Sequence, residues 1–222
     1  MKRLTLIFSL FALAAPMAAW SEAEPEAPEV SLDGLELVEE SRRRELYRAP
    51  GVDWSIYDKV QIDEATVAFQ KHWLRDQNRY QHNRIRKEDM ERIRTGMVEL
   101  FDEVFSKELA NNGGYELTDE GGENVLRITP YIIDLNVYSP DPRSAPGIQR
   151  SYAEAAGRMT LKLHMYDSYT GDLIAVFSEN RETMRRGYMQ WTNTVTNTKE
   201  FRLLLQSWAK ELREGLQEAQ KS

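Results

Sequence analysis

The stretch Gly157-Arg-Met-Thr-Leu-Lys-Leu-His-Met-Tyr-Asp167 sets Met159, Leu161, Leu163 and Met165 against Arg158, Thr160, Lys162 and His164 in strict alternation. A period of two with one apolar set is the pattern of a strand buried on one face. Asp167-Ser-Tyr-Thr-Gly-Asp172 supplies turn residues, and Leu173 to Ser178 reads as the returning strand of a hairpin. A half-buried hairpin needs a second layer over its apolar face.

Two helices supply that layer. Met90, Ile93, Met97, Leu100, Phe101, Val104, Phe105 and Leu109 recur at steps of three and four, and Asn111-Asn-Gly-Gly114 ends the run with residues that tolerate a left-handed cap. Near the C-terminus, Phe201, Leu204, Leu205, Trp208, Leu212 and Leu216 form a second stripe, with Asn197 expected as N-cap and Glu200 three residues on. Three further strands are expected. One runs from Tyr57 to Phe69, a short one from Tyr115 to Leu117, and a long one from Val125 to Val137. In the last, Leu126 and Ile128 share one face while Tyr131, Ile133, Leu135 and Val137 take the next phase, so a bulge or an edge is expected at Pro130. The predicted fold is α+β, a single domain in the order β-α-β-β-β-β-α, with a mixed or antiparallel sheet and two helices on one face.

The ends of the chain read differently. Lys2 and Arg3 precede an apolar run from Leu4 to Ala15, Pro16, and small residues at Ala18, Ala19, Ser21 and Ala23. That order is a cleavable export signal, and the run is shorter than the roughly 20 residues a bilayer span needs. Residues 1–21 are therefore assigned as a signal peptide, with cleavage expected after Ala19, Ser21 or Ala23. Residues 22–48 are read as an acidic, partly disordered leader, because Glu22 to Ser31 holds little to bury and Leu32 to Arg48 is a charged stretch with a short helix. The α+β domain is placed at 49–222.

The net charge of −7 becomes about −9 once Lys2 and Arg3 are removed, which speaks against nucleic acid as a partner. The chain contains no cysteine, so disulfides, thiolate metal sites, cysteine nucleophiles and lipidation at a lipobox cysteine are all excluded.

Four stretches taken together carry a family resemblance. They are Tyr57-Asp-Lys-Val-Gln-Ile-Asp63, Val125-Leu-Arg-Ile-Thr-Pro-Tyr-Ile-Ile-Asp-Leu135, Gly157 through Asp167-Ser-Tyr-Thr-Gly171, and Trp208-Ala-Lys-Glu-Leu-Arg213. Their order and spacing resemble the domain of unknown function 3313, a family of proteobacterial secreted proteins and lipoproteins, over roughly residues 32 to 218. The resemblance implies an envelope location and supplies no catalytic residues. Many members begin with a lipobox cysteine, and this chain departs from that pattern. It is therefore expected as a soluble periplasmic protein, neither membrane-spanning nor lipidated.

The sequence offers few chemical constellations. Nucleophile-elbow and phosphate-loop motifs are absent. The 36 acidic residues allow many carboxylate pairs, and spacing selects none; Asp134 stands out only as a carboxylate late in an apolar strand, read as turned outward. His72 and His82 share no helical face, and His164 falls on the polar face of its strand, so solvated surface histidines are expected, with no metal and no cofactor. The connector between the first strand and the first helix is richer. Trp73, Arg75, Arg79, Tyr80, Arg84 and Arg86 combine positive charge with aromatic rings, a set that binds polyanions or stacks on sugars. Its ordinary reading, a solvated face balanced by Asp76, Glu88, Asp89 and Glu91, is preferred; the binding reading is kept for testing. Arg181, Arg185 and Arg186 with Tyr188 and Trp191 form a second cluster that would extend this patch if the two meet.

The expected function is that of a noncatalytic periplasmic accessory or binding protein whose partner is an envelope protein or glycan. The alternatives are a hydrolase of an envelope polymer and a self-associating structural subunit that pairs through an exposed sheet edge.

Overall fold

The computed structural model describes residues 24–79, 84–140, 151–185, 187–188 and 190–221. The signal segment, Tyr80, His82, Arg186 and most of the proline-rich loop 139–150 lie outside the described residues. The central hairpin is as expected: β8 (Gly157–Asp167) pairs antiparallel with β9 (Leu173–Glu182). Asp167 closes the turn by accepting from the backbone N–H of Tyr169 and Thr170 at 2.9 and 2.8 Å, and Gly171 takes the positive φ of +79° that the turn requires.

Around the hairpin stands a mixed sheet of eight strands. β1 (Glu36–Glu40), β2 (Arg44–Arg48), β9, β8, β6 (Val125–Val137), β3 (Lys59–Ile62) and β5 (Glu116–Leu117) lie in that order, and β4 (Thr66–Phe69) pairs with β6 beyond β3. Strands β3 and β4 run parallel to β6, and β8 antiparallel to it. Two short strands, β7 (Ser151–Ala153) and β10 (Gln190–Thr192), make a separate ribbon. A short helix, α1 (Trp73–Gln77), precedes the long helices α2 (Lys87–Lys107) and α3 (Thr194–Ala219).

Met159, Leu161, Leu163 and Met165 point into one core with Phe101 of α2 and Trp208 of α3, all at or below 4 % exposure. At the start of β8 the layers approach so closely that a Cβ on Gly157 would strike the Asn136 carbonyl oxygen and lie 2.8 Å from Phe201 Cζ. Only glycine fits there.

Four expectations are corrected. Residues 36–48, read within the leader, form the hairpin β1–β2, which joins the sheet through β9, so the folded domain starts before residue 49. The strand from Tyr57 to Phe69 is two strands, β3 and β4, laid end to end along β6. The phase of β6 does not slip at Pro130: Leu126, Ile128, Pro130 and Ile132 are all buried, and the register shifts between Ile133 and Asn136, where Asp134 adopts φ +53°. Pro130 fits in a central strand because it falls between the β3 and β4 pairings, where its missing N–H has no neighbouring strand to serve. Finally, α3 begins earlier than expected. Asn193 is the N-cap and accepts from Thr196 N–H at 2.9 Å, while Asn197 is buried and donates to the Ser139 carbonyl at 3.0 Å.

The free edge of β4 is closed by side chains. Phe69 N–H donates to Glu24 at 3.1 Å, and Arg94 of α2 donates to the Val67 carbonyl at 2.9 Å and to Glu24 at 2.7 Å. At the opposite end, β1 presents an open edge that carries Glu36, Glu39 and Glu40, with Leu37 and Val38 about half exposed.

Two predictions follow from the core. Leu163→Ala should cost about 2–5 kcal/mol in urea unfolding, and a loss below about half a kcal/mol would reverse the assignment of faces. His164, expected at the surface, is 2 % exposed; burial, and then Lys162, hold its pKa below the ordinary 6.5. The unfolded chain therefore takes up a proton first as the pH falls, so stability is full above the ordinary value and declines below it. The urea midpoint should drop between about pH 7.5 and about pH 5.5, and drop less in His164→Gln. Equal drops in the two proteins would remove His164 from the account.

Candidate functional site

The inner face of β9 does not stay apolar. After Ala175 and Phe177 the same phase brings Glu179, 9 % exposed, and then Arg181 beneath α3. Trp208, fully inside, donates its indole N–H to Glu179 Oε2 at 2.7 Å. Arg181 grips both Glu179 oxygens at 2.7 and 2.6 Å and both Glu211 oxygens at 3.0 and 3.1 Å, and its guanidinium lies 5.2 Å from the Trp208 ring centre. Arg44 of β2 donates to Glu211 at 2.8 Å and lies over the Phe177 ring at 5.1 Å. Strands β2 and β9 and helix α3 are thus tied by two carboxylates held between two arginines.

Burial pushes the Glu211 carboxyl up, but hydrogen bonds from Arg181 and Ser207 outweigh it and hold the pKa below the ordinary carboxylate range. Burial likewise works against the Arg181 cation, and its bonds to Glu211 and Glu179 more than restore it. Glu211 therefore stays ionised, the wrong direction for a general acid.

Beside this cluster the helix and sheet do not close. A groove of about 560 Å³ opens between the C-terminal half of α3 and strands β9, β2 and β1. Leu46, Trp54, Phe177, Trp208, Leu212 and Leu216 form its apolar lining. Its rim carries Glu39, Glu214 and Glu218, with Arg48 set 6.0 Å from the Trp54 ring centre. The volume lies within the roughly 300–1,000 Å³ of small-ligand sites, and the groove is apolar with a few converging charges.

The sequence-predicted site is only partly assembled. Trp73 is a core residue, 4 % exposed, stacked on Phe69 at 4.5 Å and donating to the Val137 carbonyl at 3.1 Å, so its ring is not available to a ligand. Arg75, Arg79, Arg84 and Arg86 are exposed around it, while Tyr80 lies outside the described residues. Arg75 pairs with Asp76 at 3.1 Å, and Arg86 precedes α2 with its backbone N–H on Asp89 at 3.1 Å. Of the second basic cluster, Arg181 is committed to Glu179 and Glu211, Arg185 pairs with Glu182 at 2.8 Å, and Arg186 lies outside the described residues. Asp134 is exposed at the bulge of β6. Among the described residues no group of three or more His, Asp or Glu side chains is placed to hold a metal.

Sequence reasoning missed Glu179, Arg44 and Glu211. The available signal was Glu179 itself, a carboxylate in the inward phase set by Ala175 and Phe177.

These features define an α+β domain built from a mixed sheet with two long helices on one face. The chain belongs to the family described as Protein of unknown function (DUF3313), whose profile matches residues 29–212. No curated protein sequence matches it. Solved structures with some likeness include the PelC dodecamer from Paraburkholderia phytofirmans, at 10 % identity and a TM-score of 0.33, covering 74 % of this chain and 96 % of that one. A Xanthomonas campestris protein of the DUF330 family has 10 % identity and a TM-score of 0.36, covering 74 % and 86 %. A minor lipoprotein from Acinetobacter baumannii has 13 % identity and a TM-score of 0.28, covering 72 % and 91 %. Scores at this level establish neither a shared function nor a shared assembly. Among the described residues no helix is long and apolar enough to cross a membrane.

The cluster predicts its own importance. Glu179→Ala leaves the buried Trp208 N–H without an acceptor and Arg181 with only Glu211 and Ser207, and should cost about 1–3 kcal/mol, the range for an orphaned buried donor. Glu179→Gln, which keeps an acceptor for Trp208, should cost less. Urea unfolding of both variants checks the order, and equal costs would mean that the indole bond contributes nothing.

Proposed function

We propose that this chain is exported, released without lipid into the periplasm, and acts there as a noncatalytic binding protein that docks a basic amphipathic segment of another envelope protein. The carrying observation is the groove between α3 and β2–β1, apolar within and acidic at its rim. Arg44 pairs with Glu211 and Glu39, and Glu214 with Arg213 and Lys210, yet the groove's own lining sets Glu39, Glu211, Glu214 and Glu218 against Arg44 and Arg48, so the excess charge that faces a partner is negative. A partner with apolar residues on one side and lysine or arginine on the flank complements both features. Val38, half exposed at the open edge, extends the apolar surface out of the groove. Glu179 and the half-buried Glu211 are held by arginines, which suits a rigid wall, and Glu211 stays ionised. The export reading rests on the Lys2-Arg3 start, the apolar run and the small-residue exit.

Two measurements test this. Osmotic shock should release a protein whose first residue follows Ala19, Ser21 or Ala23; a cytosolic chain that still carries Met1 would reverse the export reading. A photo-crosslinker at Val38 should trap a discrete partner, and Val38→Asp combined with Glu214→Lys and Glu218→Lys should cut that yield at least about tenfold, since buried contact and rim charge are both lost. Replacing Arg75, Arg79, Arg84 and Arg86 with serine should leave the yield unchanged. If the serine variant loses the partner and the groove variant keeps it, the docking surface is the connector and not the groove.

A further inference from the structure

The sheet face turned away from α2 and α3 carries a second, smaller cavity of about 300 Å³, lined by Arg127, Thr129 and Tyr131 of β6 and Tyr166 to Ser168 at the end of β8, with Gly171. We propose that it binds a neutral, polyhydroxylated ligand, a saccharide unit, held between Tyr131 and Tyr166 beside Arg127.

The register of the strands builds this site. Arg127 pairs with Tyr166, Thr129 with His164, and Tyr131 with Lys162, so the two tyrosines bracket the Thr129–His164 pair on one face. His164 lies behind Tyr131 and outside the cavity lining itself. Its imidazole is 2 % exposed, its ring centre lies 4.9 Å from that of Tyr131, and its Nδ1 has no hydrogen-bond partner among the described residues. A buried polar atom without a partner is rare in a folded domain and marks a place where a donor or acceptor is wanted.

The charges of the site are already spent. Arg127 Nε donates to both oxygens of Asp63 at 3.1 and 2.9 Å, and Thr129 Oγ1 donates to the same carboxylate at 2.6 Å. Asp167 accepts from Tyr57 Oη at 2.8 Å and from its own turn. Arg127 is neutralised by Asp63 and Asp167 keeps its own negative charge, so no cation is left over for a phosphate, and among the described residues this lone carboxylate has no fellow ligands to hold a metal ion. What remains is the hydroxyls of Tyr131 and Tyr166, without hydrogen bonds among the described residues, and the faces of their rings. Burial raises the pKa of both tyrosines, so both hydroxyls stay protonated and able to donate. Hydroxyl donors and partly buried aromatic faces beside Arg127, which bonds Asp63 through its Nε, suit a ring that presents hydroxyls at its edge and C–H groups on its face. The cavity sits at the lower limit of ligand pockets, which suits one or two rings.

The test is a panel of soluble neutral, acidic and phosphorylated oligosaccharides presented to the mature protein, followed by calorimetric titration of those that bind. At least one neutral member should bind, and Tyr166→Ala and Tyr131→Ala should each weaken it at least about tenfold, in line with the loss of a central aromatic anchor. Tyr166→Phe keeps the ring and should lose less, which separates stacking from the hydroxyl. Unfolding midpoints of each variant check that the fold persists, and Tyr166→Phe keeps the test valid if an alanine variant fails to fold. The groove variant at Val38, Glu214 and Glu218 should bind the sugar normally. No binding to any member, binding confined to phosphorylated members, or titrations that are the same for wild type and tyrosine variants would overturn the proposal.

Discussion

The carboxylate of Glu179 is the point on which the architecture turns. It is placed on the inner face of a strand where the pattern calls for an apolar side chain, and it is tolerated because Trp208 and Arg181 fill its lone pairs. A buried carboxylate is costly without hydrogen-bond partners, so the helix settles only where those partners are in place. The result is a register mark. Hydrophobic burial would accept α3 at several positions along its stripe, but only one places the Trp208 indole on Glu179 and Glu211 on Arg181 and Arg44. The same constraint brings β2 into the sheet, since Arg44 reaches Glu211 only when paired opposite Glu179.

That clamp also explains why the helix layer is incomplete. α3 is held over β9 and β8, and the sheet continues past it through β2 and β1. Among the described residues the inner face of those two strands has no helix of its own, and the groove is left there. The opposite face of the sheet has neither long helix on it, and its tyrosines, threonines and paired charges are the residues of a surface that meets water or a polar ligand.

Much of this was legible in the sequence, for physical reasons. Both long helices and the β8–β9 hairpin announce themselves because their buried residues repeat with the periods of their own backbones. Strands β1 and β2 do not: Glu-Leu-Val-Glu-Glu and Arg-Glu-Leu-Tyr-Arg hold more charge than apolar surface, as suits an edge that stays wet, and nothing local separates them from a leader. Tyr131 was placed on the wrong face because the bulge lies at Asp134, and a positive φ at one residue leaves no mark in an alternation. Trp73 among arginines looks like a platform, and only its position against Phe69 and Val137 makes it an anchor. The clamp itself joins residues 167 positions apart, beyond the reach of any spacing rule.

The two ends of the sheet are finished in different ways. At one end β5 is two residues long and the exposed groups of β4 are occupied by Glu24 and Arg94. At the other, β1 is open but carries three glutamates in five residues, so antiparallel pairing with its own copy would set like charges together. Addition at β1 therefore favours a strand of opposite charge, and the far end offers little for a second addition. In the language of polymers the two described edges differ: β1 is open to a strand of opposite charge, while β4 is already capped by side chains.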